Sequence, residues 1–194
     1  NPLFAANLMH WIAAAQVANR PLTVTEWNVE SFPAPDRHAI PMYITGSASL
    51  HGWDAMMQYA YSQIALDGQG GPSNWHAFND PAMIATLPAA ALLYRQGHVQ
   101  EATTTYAFTP GKEQLFNRAI SPHNSTALRT AAEKGKLVIV LPQVKELPWL
   151  EKSPIPAGAK IITDPNQSLI PGDASEAVSD TGELRRNWEQ GTYT

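Results

Sequence analysis

Glu26, Trp27 and Asn28 close the strand-like part of the run LTVTEWNVE (residues 22 to 30), and their types suit sugar chemistry. A carboxylate can attack an anomeric carbon or protonate a leaving oxygen. A neighbouring ring offers a flat apolar face, and an amide both gives and takes hydrogen bonds. Further along, Tyr59 and Tyr61 stand in AMMQYAYS (residues 55 to 62), and Trp75 and His76 follow Asn74 in SNWHAF. An exposed indole fits the C–H side of a pyranose, while His76 and Asn74 offer hydrogen bonds. The plain alternatives are a solvated glutamate at a strand end and a loop tryptophan pinned to the surface.

These side chains need elements to hold them. Leu22 and Val24 alternate with Thr23 and Thr25 after Pro21, so a strand over 22–27 puts Glu26 near its carboxyl end. Trp27 points the other way by alternation and is assigned to packing. The near-continuous apolar run of residues 55–62 predicts a strand buried on both faces, with Tyr59 and Tyr61 turned to one side and Ala60 to the other. Trp53, at the N-terminal end of that run, is a packing residue on this reading.

The flanking helices are marked by their ends. Leu3, Leu8, Trp11, Ile12 and Ala15 fall near helical spacing, predicting a helix that ends at Asn19 before Pro21. Asp36 is placed to cap a second helix running to about Leu50, with Pro41 in or near its first turn. Asp80 followed by Pro81 reads as a cap and first position, and Gly97 closes that helix after Gln96. Residues 1–98 thus alternate helix and strand, as parallel α/β units do. From residue 99 the pattern changes: strands in EATTTYAF, KLVIVL and AKIITD, helices in EQLFNRAI and STALRTAAEKG, and a closing hairpin in GELRRNWEQGTYT. The expected division is 1–98 and 99–194.

Composition narrows the classes. Thirteen basic against seventeen acidic residues give −4 with no basic run, which disfavours nucleic acid as a partner. The absence of cysteine removes disulfides, thiolate metal sites and cysteine nucleophiles. No apolar run reaches the roughly 18 residues of a membrane span. The histidines show neither HxH nor HxxxH spacing, Asp164, Asp173 and Asp180 lack an ordered calcium spacing, and no phosphate-binding glycine motif is present, so neither metal nor cofactor is expected.

TVTEWN, then GWDAMMQYAYS, then FNDPAMIATLPAAALLYRQGHV together resemble the last two βα units of a retaining glycoside hydrolase of clan A. Such enzymes are (β/α)8 barrels, and β-galactosidase-like members carry smaller β-rich domains after the barrel. The resemblance implies residues 1–98 as the end of a catalytic barrel and 99–194 as a mixed α/β or β-rich accessory domain. It assigns Glu26 as nucleophile, with Tyr59 or Tyr61 beneath the sugar at the cleavage site; the family's usual tryptophan there is absent. Asn28, Trp75 and His76 complete the expected substrate contacts.

A full barrel takes about 250 residues, so the chain is expected to be the C-terminal part of an enzyme. Its acid/base carboxylate and strands one to six would lie elsewhere. Glu30, Asp36 and Asp80 are the carboxylates to test first if this chain supplied both. The implied partners are a carbohydrate and either the rest of the barrel or another copy of the chain. The compartment stays open, with a lean toward a secreted or periplasmic setting. Two other readings compete: a carbohydrate-binding piece without turnover, and a dehydrogenase-like α/β domain, which would need a nucleotide loop.

Overall fold

The computed structural model describes residues 1–28, 34–67, 71–117, 119–148 and 152–194. They form mixed α/β structure with three small sheets, and among the described residues no sheet closes into a barrel. Glu30 lies outside the described residues. Two compact units divide the chain. One comprises Thr23–Ser49 and Trp53–Val99; the other comprises Asn1–Leu22, Leu50–Gly52 and Gln100–Thr194. The first twenty-two residues, read from sequence with the barrel segment, therefore group with the C-terminal part.

The unit of Thr23–Ser49 and Trp53–Val99 is built on two parallel strands, β1 (Thr23–Trp27) and β2 (Ala55–Gln58). Register runs from Thr23 opposite Ala55 to Trp27 opposite Gln58, with an irregularity between Val24 and Trp27. A tight helical turn at Arg37–Ala39 leads into a helix, Ile40–His51, with Pro41 in its first turn, where a missing N–H costs nothing. Asp36 precedes that turn but makes no capping bond from its side chain. The helix following β2, Pro81–Gln96, matches its sequence signals. Asp80 caps it, Pro81 fills its first position, and Gly97 ends it at φ +64°. Ile44, Ala48, Trp53, Ala77, Met83 and Ala90 are this unit's most buried apolar residues.

β2 departs from expectation in length and burial. It ends at Gln58, and Met57 is 50% exposed. Among the described residues it has β1 as its one strand neighbour, so an apolar sequence remains half uncovered. Tyr59 and Tyr61 lie beyond the strand, so strand alternation does not set their directions.

The other unit carries a parallel sheet of three strands. β3 (Thr105–Phe108) is central, between β4 (Lys136–Ile139) and β5 (Lys160–Ile162). Between β3 and β4 come helices Lys112–Phe116 and Thr126–Lys134, the latter capped by Ser125. Gly135 allows the close turn into β4, because a Cβ there would stand 2.6 Å from the Thr104 carbonyl oxygen. The N-terminal helix is Leu8–Ala13, shorter than the sequence periodicity suggests. Beyond it the chain runs along β4: Ile139 N–H donates to Gln16 O (2.7 Å) and Ala18 N–H to Ile139 O (2.9 Å). An antiparallel meander, β6 (Glu176–Val178), β7 (Arg185–Asn187) and β8 (Thr192–Tyr193), contains the expected hairpin.

Candidate functional site

Glu26 ends exposed near the carboxyl end of β1, while Trp27 beside it is buried. Parallel pairing brings the carboxyl end of β2 to the same place, since Trp27 stands opposite Gln58. The ladder continues one residue further, with Tyr59 N–H donating to Trp27 O at 2.9 Å. Asn28 adds a side-chain tie, its Nδ2 donating to Tyr59 O at 2.5 Å. Asn28 thereby spends one amide donor on holding the two strand ends together.

After Tyr59 the backbone changes partner. Ala60 N–H donates to Trp75 O (3.0 Å), Ala77 N–H to Ala60 O (2.8 Å) and Phe78 N–H to Tyr61 O (2.7 Å). The Tyr59–Ala60 peptide bond is cis. This pairing ends β2 early and lays residues 59–61 along residues 75–78. The Tyr61 and Phe78 rings meet with centroids 6.1 Å apart, inclined at 60°. Tyr59, Tyr61 and Trp75 all stay exposed, Trp75 at 56%. The segment thus presents aromatic faces beside the strand end that carries Glu26.

His76 does not join them. It is 6% exposed and turned into its own loop, whereas the sequence reading has it walling a cleft. Its Nε2 lies 3.3 Å from Gly71 O, and its Nδ1 lies 3.4 Å from Ser73 Oγ. The carbonyl can only accept, so Nε2 donates to it. The short spacing of Ser73 from His76 was the sequence signal for this turn, and the aromatic next door obscured it.

Asp80 is occupied too. Its Oδ2 accepts from Arg37 Nε at 2.9 Å, with Arg37 Nη2 at 2.8 Å, and its Oδ1 accepts from Ala82 N–H (3.1 Å) and Met83 N–H (3.4 Å). A carboxylate engaged on both oxygens is poorly placed to shuttle protons. Arg37 was not identified from sequence, because its partner lies 43 residues away.

Backbone pairing thus links the segments that carry Glu26, Asn28, Tyr59, Tyr61 and Trp75 at one end of one unit, while the His76 side chain stays within its own loop. Among the described residues no cluster of three or more metal-ligating side chains occurs, and no helix is long and apolar enough to cross a membrane. A groove of about 550 Å³ runs along one helix, lined by Pro88, Ala91, Leu92, Arg95 and Gln96, and includes none of the candidate residues. No family model, curated protein or solved structure matches this chain.

Proposed function

We propose that this chain carries the nucleophile end of a retaining β-glycosidase of clan A, acting on O-glycosidic bonds of oligo- or polysaccharides. Residues 23–99 are read as its last two βα units. The observation that carries the reading is an exposed carboxylate, Glu26, near the carboxyl end of a parallel strand and beside exposed Tyr59, Tyr61 and Trp75. In this mechanism Glu26 attacks the anomeric carbon and forms a covalent glycosyl-enzyme as the leaving oxygen takes a proton from a second carboxyl group. Water, deprotonated by that same second group, then releases the sugar with retained configuration. The aromatics supply apolar faces for the rings, and Asn28 fixes the strand ends on which Glu26 and Tyr59 sit. The acid/base carboxylate is assigned to the barrel strands outside this chain.

A non-catalytic carbohydrate-binding piece is the second reading. Its support is that Asp80, a neighbouring carboxylate, is committed to Arg37 and to a helix cap. The readings separate in the assembled enzyme on an activated aryl β-glycoside. Glu26→Gln keeps the shape and loses the nucleophile, so turnover falls by about a thousandfold or more with substrate binding kept. Azide restores activity to Glu26→Ala by attacking the same carbon. Retention of more than about a tenth of native turnover in Glu26→Gln, under 1.4 kcal/mol of barrier, would remove the assignment.

A further inference from the structure

Arg37 is a charged side chain only 3% exposed, and burying a guanidinium is costly unless its donors are used. Its use is specific. Nε and Nη2 both hold Asp80 Oδ2, and Nη2 also donates to Ser73 O at 3.1 Å. The other Asp80 oxygen caps the helix that begins at Pro81. Ser73 then organises the loop it opens: its Oγ accepts from Trp75 N–H at 3.1 Å and lies 3.4 Å from His76 Nδ1. Trp75 O in turn accepts from Ala60 N–H, and Asp80 N–H donates to Ala77 O at 2.9 Å. A continuous chain of bonds runs from the helix start through Asp80, Arg37 and Ser73 to the backbone of Trp75 and Ala60. Capping the helix needs Asp80 alone. The reach to Ser73 is what Arg37 adds.

We propose that Arg37 and Asp80 form a clamp that positions loop 71–78 and so holds the Trp75 ring outward as a platform beside Tyr59 and Tyr61. What the platform serves rests on the glycosidase reading; the clamp itself rests on the bonds above. Both residues are positioning residues. A planar guanidinium can meet a carboxylate and a carbonyl at once, whereas an ammonium at the same site keeps the charge but not that fork.

The test uses the whole chain with Arg37→Lys, Arg37→Met and Asp80→Asn. Asparagine still caps a helix, so Asp80→Asn separates the clamp from the cap. Backbone hydrogen exchange in residues 71–78 is expected to quicken about tenfold or more in each variant, with β2 and the second half of helix Pro81–Gln96 unchanged. Acrylamide quenching assigned to Trp75, by difference from a Trp75→Phe background, should shift in parallel. Affinity for β-linked oligosaccharides should fall about tenfold. Unchanged exchange in 71–78 in both Arg37→Lys and Asp80→Asn overturns the clamp, as does exchange that rises equally throughout the unit. Those two variants decide the matter if Arg37→Met does not fold. A native chain that takes up no β-linked oligosaccharide counts against the sugar reading instead, and the exchange comparison judges the clamp separately.

Discussion

Two parallel sheets in this molecule, built from similar runs, reach opposite states. In β3 and β4, Tyr106, Ala107, Phe108, Leu137, Val138 and Ile139 are all buried. In β1 and β2, Thr23, Thr25, Glu26 and Met57 are exposed and Trp27 alone is buried. Apolarity does not explain it, since AMMQ is no less apolar than TYAF. Neighbours do: β3 is paired on both edges, and β4 takes residues 16–18 along its outer edge, whereas β1 and β2 have each other. Both units bury polar groups, His10, His51 and Arg129 in one and Arg37, His76 and Asp80 in the other, but Glu26, Tyr61 and Trp75 stay exposed. One parallel sheet is covered along its edges, and the other leaves Glu26 and Met57 in solvent.

Removing Arg129 should give the largest effect on the closed region. Its guanidinium donates to Pro2 O (2.6 Å), Pro122 O (2.8 Å), His123 O (3.3 Å), Leu3 O (3.0 Å) and Thr126 Oγ1 (3.0 Å). Arg129→Met leaves those carbonyls without their donor and is expected to cost about 3 kcal/mol. Urea unfolding followed in that unit measures it. A loss within about 0.5 kcal/mol would erase the contrast drawn between the regions.

Acid should sharpen the same contrast. His51 Nδ1 accepts from Leu137 N–H (3.3 Å) and Nε2 donates to Ala132 O (3.0 Å), so the ring is held neutral. Burial lowers its pKa to about 4. A histidine with a depressed folded pKa binds protons better when unfolded. Its stabilising contribution is complete above about pH 6.5 and is lost as pH falls toward 4, by about 3 kcal/mol at most. Glu133 acts in the same direction further down. Burial alone would raise its pKa, but the bond from His10 and the Arg186 charge bring it below the usual carboxylate value, so that contribution goes as pH falls through the lowered pKa. Stability of this unit measured from pH 7 to 4 should decline, and His51→Gln should flatten the upper part of the curve. A native profile flat over that range would contradict the neutral His51.

Trp75→Ala should change stability least, by under about 0.5 kcal/mol, because the ring is already in water. Its signature belongs to binding, with affinity for β-linked oligosaccharides falling about tenfold, 1.4 kcal/mol. Isothermal titration beside thermal unfolding separates the two. An unfolding penalty above about 1 kcal/mol, with unaltered affinity, would make Trp75 a packing residue.

Local signals carried much of this from sequence. Asp80, Pro81 and Gly97 mark their helix because capping and αL backbone are written in single residues. The alternation of Leu22 through Trp27 locates β1 for the same reason. What depended on distant partners was hidden. Arg37 needs Asp80, and β2 stops at Gln58 because residues 59–61 find bonds at 75–78. The N-terminal helix is short because Asn7 caps it, its side chain accepting from His10 N–H, and residues 16–18 leave it to line β4. β6 is three residues, EAV, too short for periodicity to reveal. Within the candidate site, type and order singled out Glu26, Tyr59, Tyr61 and Trp75, but the exposure of the two tyrosines was not legible, because residues 55–62 read as a strand buried on both faces. For the inward turn of His76 the sequence offers only the short spacing from Ser73, since the Gly71 carbonyl beside its ring carries no signature of its own.

The central claim is that Glu26 attacks an anomeric carbon, and covalent trapping tests it most directly. A 2-deoxy-2-fluoro β-glycoside with a dinitrophenolate leaving group departs without an acid and leaves the glycosyl-enzyme slow to hydrolyse. Incubated with the assembled enzyme and digested, it should add one fluorosugar mass to the peptide containing Thr25, Glu26 and Trp27, with the ester on the Glu26 carboxylate. Glu26→Gln should remain unlabelled. A fluorosugar ester on any other carboxylate, formed equally in the Glu26→Gln protein, would contradict the account.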